Sequence, residues 1–221
     1  MCTKVCFFHT VASLSERFDD LAAEYVPDVD HFHVVDESVL NDALEAGELT
    51  PAVNRRICSQ LSLAEDAGAD LILDTCSSTS PAVDIAREMV DVPILKIDDP
   101  MTEAAVEHGE DIAILATAES TIGPSAELVQ RKADQRATEI NLWTKLVDEA
   151  LDALQSGEKD RHDRLVTDCA VELADATDVI VLAQASMSHL APSLSNRVSV
   201  PVLSSPDRAM ETVAEEVGNS S

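Results

Sequence analysis

The chain has 221 residues, of which 45% are hydrophobic, and its formal net charge is −27 at pH 7. Because so acidic a surface repels polyanions, we expect neither nucleic acid nor an anionic membrane as a partner. The sequence has no apolar run approaching the ~18 residues of a membrane span, so it predicts a compact protein without membrane segments.

The hydrophobic pattern predicts strands and helices that alternate along the whole chain. Strands are predicted at 4–9, 31–35, 70–74, 93–97, 111–116, 137–142, 178–183 and 200–203. Helices are predicted at about 12–25, 37–45, 51–67, 80–90, 100–108, 122–135, 144–155, 158–175 and 206–217. This alternation is typical of α/β proteins, in which right-handed crossovers join the strands of parallel sheets.

The amino-terminal residues 1–8 are interpreted as the start of the first strand. They lack the long apolar region and the small-residue cleavage site of a signal peptide, so a cytoplasmic location is predicted. The acidic residues are distributed along the predicted helices, and lysine is scarce. This pattern favours a surface adapted to high salt, and hence a halophilic source, whereas an acidic patch for a basic partner is the alternative.

The five cysteines predict neither a disulfide framework nor a zinc site, because their number is odd and no pair has the C-x-x-C spacing. No metal is therefore expected. Three of them fall in apolar strand or helix segments and are interpreted as small core residues. The five are Cys2, Cys6, Cys58, Cys76 and Cys169, of which Cys6, Cys58 and Cys169 are the predicted core residues.

The two halves of the chain repeat one pattern. Asp70 and Asp178 each begin an apolar strand that ends in a small polar turn, and they lie 108 residues apart. A repeat this long predicts a duplicated α/β unit rather than a short-repeat solenoid. The matching segments are 5–10 with 112–117, 70–78 with 178–186, and 92–95 with 200–203.

The repeat predicts two pseudo-symmetric, flavodoxin-like α/β domains with parallel sheets. The first would comprise residues 1–98 and 206–221, and the second would comprise residues 99–205. Ligands of parallel sheets bind outside the carboxyl ends of the strands. If the two domains face each other, the polar residues at these ends border one cleft. These residues are Thr10 and Cys76 in the first domain, and Thr117 and Gln184 in the second.

Cys76 is the candidate reactive group. It follows an apolar strand and precedes Ser77, Ser78, Thr79 and a predicted helix. The positive end of that helix predicts a lowered thiol pKa, and the backbone N–H groups of the turn could hold a carboxylate or an oxyanion. The alternative is a buried structural cysteine beside a helix-capping serine.

These motifs resemble those of the aspartate/glutamate/hydantoin racemase superfamily. Residues 76–79 (Cys-Ser-Ser-Thr) resemble its first catalytic cysteine motif, commonly Cys-Asn-Thr. Residues 178–187 are similar to the second motif of hydantoin racemases, Leu-Gly-Cys-Ala-Gly-Met, with Gln184 at the cysteine position. Residues 116–121 resemble the carboxylate-binding turn Thr-x-x-x-Thr of the family. The likeness extends over essentially the whole chain.

The resemblance implies a cofactor-independent isomerase, a small carboxylate substrate and a homodimer. In the family, one thiolate removes the α-proton and a second thiol protonates the opposite face, while hydroxyl and amide groups hold the carboxylate. Cys76 and Gln184 would occupy the two catalytic positions. The residues that the resemblance assigns to substrate binding are Thr10, Ser77, Ser78, Thr79, Thr117, Thr121 and Ser186.

Gln184 sets this chain apart from a two-thiol racemase, because an amide neither removes nor delivers a proton near neutral pH. Three alternatives remain open: a lyase or decarboxylase with one cysteine, a cis–trans isomerase, and a protein that binds a small carboxylate without catalysis. His9, at the end of the first strand, or His189 could replace the missing thiol. His31 and His33 share a strand face and are interpreted as polar surface rather than as metal ligands.

Overall fold

The structure, a computed structural model, describes residues 3–219. Cys2 lies outside the described residues. Eight strands are present in this range: β1 (Lys4–His9), β2 (Asp30–Val35), β3 (Leu71–Asp74), β4 (Ile94–Lys96), β5 (Asp111–Ala116), β6 (Asn141–Leu146), β7 (Val179–Leu182) and β8 (Val202–Ser204).

Ten α-helices and two 3₁₀ segments connect these strands within the described range. The helices are α1 (Leu14–Tyr25), α2 (Glu37–Ala46), α3 (Pro51–Asp66), α4 (Ser80–Ala86), α5 (Asp99–His108), α6 (Glu119–Arg136), α7 (Asp148–Gln155), α8 (Lys159–Ala174), α9 (Ala191–Ser195) and α10 (Ser205–Asn219). The 3₁₀ segments are Ser77–Thr79 and Ala185–Leu190. No helix of residues 3–219 has the length and apolar character that a membrane span requires.

The described chain divides into two compact units with the same sheet topology. Residues 3–97 and 207–219 form the first unit, and residues 98–206 form the second. The strand order is β2-β1-β3-β4 in the first unit and β6-β5-β7-β8 in the second, and every pair of neighbouring strands is parallel. The predicted fold class, two α/β units with four-stranded parallel sheets, is thus confirmed.

Alternating side chains of the central strands place a core on each face of each sheet. In the first unit, Phe8 points toward α2, α3 and α4, whereas Phe7 packs with α1 and α10. In the second unit, Ile114 packs with α5 and α6, and Leu115 packs with α7, α8 and α9. The last helix therefore belongs to the core of the first unit, and α5 takes the corresponding place in the second.

An aspartate contact with the backbone explains why the repeat begins with Asp in both units. Asp70 Oδ2 accepts the backbone N–H of Lys4 at 2.8 Å, and Asp178 Oδ2 accepts that of Asp111 at 3.0 Å. Each carboxylate thus ties the start of one central strand to the start of its neighbour. In the second unit the contact is so close that a Cβ added to Gly109 would lie 2.2 Å from the Asp178 Cβ.

The structure differs most clearly from prediction in three places: α9 was not predicted, α4 ends at Ala86 rather than at 90, and one strand and the helix after it are shifted. The strand predicted at 137–142 is β6 at Asn141–Leu146, and the helix predicted at 144–155 begins only at Asp148. Ala137 adopts a left-handed conformation (φ 52°) that ends α6, and an extended linker follows it. The β-forming residues Trp143 and Thr144 then pair along β5, which extends the strand beyond the predicted end.

Candidate active site

The candidate site of the first unit lies at a topological switch point of its sheet. The chain passes from β1 to β2 on one side and later to β3 on the other side, so the carboxyl ends of β1 and β3 are adjacent. Thr10 follows β1, and Cys76 follows β3 after one intervening residue. Switch points of open parallel sheets form the crevices in which ligands bind.

Burial favours the protonated thiol form of Cys76 over the thiolate. Desolvation raises its pKa above the ordinary value, and the negative charge of Asp74 raises it further. The Thr10 hydroxyl, the Ser78 backbone N–H and the Thr79 hydroxyl act in the opposite direction but do not compensate. The predicted lowering of the Cys76 pKa by the helix terminus is therefore wrong, because burial and Asp74 outweigh the donors of the turn.

Asp74 is a site residue that the sequence analysis missed. Its side chain is fully buried, the Thr79 hydroxyl lies 2.9 Å from both carboxylate oxygens, and Oδ1 accepts the Cys76 backbone N–H at 3.3 Å. A charged residue at the end of an otherwise apolar strand was the available signal. Asp74 holds the backbone of the cysteine turn in place and supplies a negative charge beside the thiol.

The hydroxyl residues of the cysteine turn divide into two groups. Thr79 is buried, and its hydroxyl oxygen also lies 2.7 Å from the Cys76 carbonyl oxygen, so its polar atom faces the turn itself. Ser77 and Ser78 are half-buried in the 3₁₀ segment. Of the three predicted substrate-binding residues, Ser77 and Ser78 therefore keep partly exposed side chains, whereas Thr79 fixes the turn.

Thr10 has the best-placed unused hydroxyl of the first unit. Its Oγ1 is buried and makes no regular hydrogen bond with residues 3–219, although the hydroxyl is close enough to the Cys76 sulfur to favour its charged form. A buried hydroxyl without a regular hydrogen-bond partner destabilises the folded protein, unless a ligand or a water molecule supplies the missing hydrogen bond. Its position is consistent with the predicted role in substrate binding.

The equivalent strand ends of the second unit carry Thr117 and Gln184. Gln184 Oε1 accepts the Thr117 N–H at 2.6 Å, the Thr117 hydroxyl at 3.0 Å and the Ala118 N–H at 3.2 Å. These donors precede α6 and belong to the turn predicted to bind a carboxylate. The amide oxygen of Gln184 thus occupies the two backbone donors and the hydroxyl donor of this turn.

Thr121 and Ser186 lie on different elements of the second unit. Thr121 is buried in the first turn of α6 rather than in the loop before it, so the predicted Thr-x-x-x-Thr turn is partly helical. Ser186 is exposed in the 3₁₀ segment after Gln184, and its carbonyl oxygen accepts a hydrogen bond from His189 Nδ1 at 3.1 Å. His189 Nε2 lies 3.0 Å from Asp163 Oδ1, so both nitrogens of this ring are engaged.

His9 does not lie on an open rim, contrary to expectation. Its ring is fully buried, Nδ1 is 2.7 Å from Thr75 Oγ1, and Nε2 is 2.8 Å from His33 Nδ1. Burial lowers the pKa of His9 to about 4, and the neighbouring His33 contributes to the lowering. A ring with both nitrogens bonded has none left for a proton transfer to substrate, so a catalytic role for His9 finds no support in its contacts.

His33 and His31 form one polar cluster with Asp19 of α1. Asp19 Oδ1 lies 2.8 Å from His31 Nε2 and 3.1 Å from His33 Nε2, and these hydrogen bonds lower the pKa of Asp19. The ligand atoms of the three side chains all lie within 4.8 Å of one another. Among residues 3–219, this is the group of side chains with the composition and spacing to hold a metal ion.

Two α/β units of identical strand order, with a cysteine at the switch point of one of them, define a duplicated racemase-like scaffold. The sequence model of the Asp/Glu/hydantoin racemases matches residues 8–213, and the chain belongs to this family. Since racemases are isomerases, the predicted family and the predicted enzyme class are confirmed at this level. A comparison with curated proteins gave no significant match.

Solved structures share the fold over nearly the whole chain. Picrophilus torridus aspartate racemase is 17% identical with a TM-score of 0.74, covering 98% of this chain and 94% of that one. The allantoin racemase from Klebsiella pneumoniae is 16% identical with a TM-score of 0.72, and the coverages are 99% and 89%. The Francisella tularensis glutamate racemase, in complex with D-glutamate, is 12% identical with a TM-score of 0.71, and the coverages are 99% and 82%.

Proposed function

We propose that this protein is a cofactor-independent, single-thiol enzyme of its family, in which Cys76 transfers a proton on one face of the α-carbon of a small carboxylate or hydantoin-like substrate. The observation that carries the proposal is the difference between the two switch points. One presents a thiol, and the equivalent position of the other presents Gln184, whose amide only makes hydrogen bonds.

The state of the thiol supports a proton donor. Since the pKa of Cys76 is raised, the group carries its proton near neutral pH. A protonated thiol can complete a reaction in which a substrate carbanion or enediolate forms by loss of another group, such as carbon dioxide. It can also act in a one-base isomerisation, provided that substrate binding lowers the pKa of the thiol. Two-base racemisation would need a second acid at position 184.

The donors of the cysteine turn support a carboxylate substrate. The Thr10 hydroxyl and the half-buried Ser77 and Ser78 flank Cys76 and could hold a carboxylate or the charge of an enediolate. In the second unit, Oε1 of Gln184 faces the turn, so its amide nitrogen is the end that can donate to a ligand. That a solved relative binds D-glutamate fits the same class of ligand.

One observation favours a second candidate function. The Gln184 oxygen already occupies the backbone donors of the turn at Thr117, as a bound carboxylate would. A protein that binds a small carboxylate without turnover could use Gln184 to occupy the donors of this turn. This candidate predicts that a small acid stabilises the protein thermally and that Cys76→Ala leaves the stabilisation intact.

The two candidates are separated by incubation with amino acids, hydantoins and dicarboxylates, including disubstituted malonates, in deuterated water. The wild type should incorporate deuterium at the α-carbon of at least one compound. Cys76→Ser should lower the rate by ~10²-fold or more, the usual scale of a lost acid–base group. Cys58→Ala, which removes a buried thiol of the same unit, should keep the rate.

Two outcomes would contradict the enzyme. Exchange that persists in Cys76→Ser would exclude the thiol as the proton-transferring group. Absence of exchange for every compound, together with thermal stabilisation by one of them, would instead establish the binding protein.

A further inference from the structure

We propose that Asp19, His31 and His33 form a binding site for a divalent transition-metal ion of the Zn²⁺ class. The site is independent of the proposed function, and it lies entirely within the first unit.

The three side chains converge from two neighbouring elements. His31 and His33 alternate along β2 and so project from the same face, and Asp19 reaches them from α1. Both Nε2 atoms point at the same carboxylate oxygen, at 2.8 and 3.1 Å. Two imidazoles and a carboxylate are a ligand set that Zn²⁺ takes in proteins, with water in the fourth position.

The spacing suits a metal ion with little rearrangement. Zinc–ligand bonds of about 2.0–2.2 Å in a tetrahedral site put neighbouring ligand atoms roughly 3.3 Å apart. The three ligand atoms here all lie within 4.8 Å of one another, so small side-chain rotations would open the required space. Access is also available, since the Asp19 side chain is 58% exposed and those of His31 and His33 are 26% and 18% exposed.

A chain of hydrogen bonds behind His33 orients its ring toward Asp19. In the arrangement in which the Thr75 hydroxyl donates to the Phe8 carbonyl oxygen at 2.9 Å, Thr75 Oγ1 accepts from His9 Nδ1 at 2.7 Å. With its proton on Nδ1, a neutral His9 accepts at Nε2, and the donor to it is His33 Nδ1. His33 Nε2 then faces Asp19 Oδ1, as a hydrogen-bond donor when it carries a proton and as a metal ligand when it does not.

A carboxylate oxygen and a ring nitrogen 3.1 Å apart need a positive charge between them, which either a proton on His33 Nε2 or a metal ion supplies. A metal ion meets this requirement and binds His31 as well. Metal-ligating histidines usually donate their second ring N–H to an oriented partner in this way. The net charge of −27 further favours the accumulation of cations near the surface. The alternative is an additional proton on His33 that bridges it to Asp19.

The test is calorimetric titration of the chelator-treated full chain with Zn²⁺ alone, repeated with Co²⁺ to record the visible spectrum. The wild type should bind one equivalent at this site, and cobalt should show the spectrum of nitrogen and oxygen ligation. The double variant His31→Asn/His33→Asn should lose this equivalent, and Asp19→Asn should weaken binding by at least ~10-fold.

Two further variants complete the design. His9→Gln should weaken binding ~10–100-fold, the usual cost of removing an outer partner of a metal-ligating histidine. His108→Asn, an exposed histidine at the end of α5, should bind Zn²⁺ as the wild type does. Circular dichroism on every variant establishes that the fold is retained.

The proposal is overturned if the double variant binds Zn²⁺ with the stoichiometry and affinity of the wild type, because the metal then resides elsewhere, for instance on a thiol. It is also overturned if the wild type binds no Zn²⁺, which would leave a proton as the bridge between His33 and Asp19.

Discussion

Gln184 should stabilise the second unit, and Gln184→Ala measures by how much. The substitution removes an oxygen that accepts three hydrogen bonds, from the Thr117 N–H, the Thr117 hydroxyl and the Ala118 N–H. A neutral hydrogen bond contributes about 0.5–1.5 kcal/mol net. Because Gln184 is only half-buried, water can replace part of the loss. We expect a decrease of about 2 kcal/mol in the free energy of unfolding.

Urea denaturation followed by circular dichroism is the assay, with two reference variants. Gln184→Glu keeps an acceptor oxygen beside the start of α6, where negative charge is favourable, and should stay within about 1 kcal/mol of the wild type. Gln130→Ala removes an exposed glutamine whose amide bonds Asp134 on the surface of α6, and it should change stability by less than about 0.5 kcal/mol. A Gln184→Ala variant as stable as Gln130→Ala would refute the inference that the amide oxygen holds this turn.

Three other predictions concern the thiol, the repeat and the buried histidine. Asp74→Asn removes a negative charge beside Cys76 and should lower the pKa of the Cys76 thiol. The pKa is measured by thiolate absorbance, with Cys76→Ser as the reference. An unchanged or higher pKa would exclude Asp74 as a cause of the raised thiol pKa. Gly109→Ala places a Cβ 2.2 Å from a neighbouring side-chain carbon and should lower the free energy of unfolding, measured with urea, by about 2 kcal/mol or more. Gly123→Ala, which has open space around it in a helix, should be neutral or stabilising. Equal effects of the two substitutions would contradict the close contact. His9 has a pKa of about 4 in the folded protein against an ordinary value of 6.5. Between these two pH values the unfolded chain therefore binds more protons than the folded one. The free energy of unfolding should decrease by up to about 3 kcal/mol as the pH falls from about 6.5 to 4. His9→Gln should show a smaller loss over this range, and an identical pH dependence would refute the assignment.

The repeat made the fold predictable. Asp70 and Asp178 recur because each carboxylate caps the start of a central strand, so the offset between them carries structural information. The strand ends could be located for the same reason, since apolar runs stop where the polar turns begin. The end of β6 could not, because this strand has largely exposed residues and its extent depends on pairing with β5.

The chemistry of the site was less predictable, because it depends on contacts between distant residues. Desolvation and Asp74 together raise the pKa of Cys76, and neither effect can be read from the short-range pattern of a thiol before a helix. The Asp19 contact with His33 joins α1 to β2 through the packing of a crossover. Strand alternation placed His31 and His33 on one face, whereas nothing in the sequence identified Asp19 as the third member.

The most direct test of the single-thiol account is the handedness of the deuterated product formed by the wild type in deuterated water. If Cys76 is the one proton-transferring thiol, deuterium should reach one face of the α-carbon, so chiral chromatography should find the label in one enantiomer. Gln184→Cys, which restores a second thiol, should increase label in the other enantiomer. Equal labelling of both enantiomers by the wild type would contradict the account.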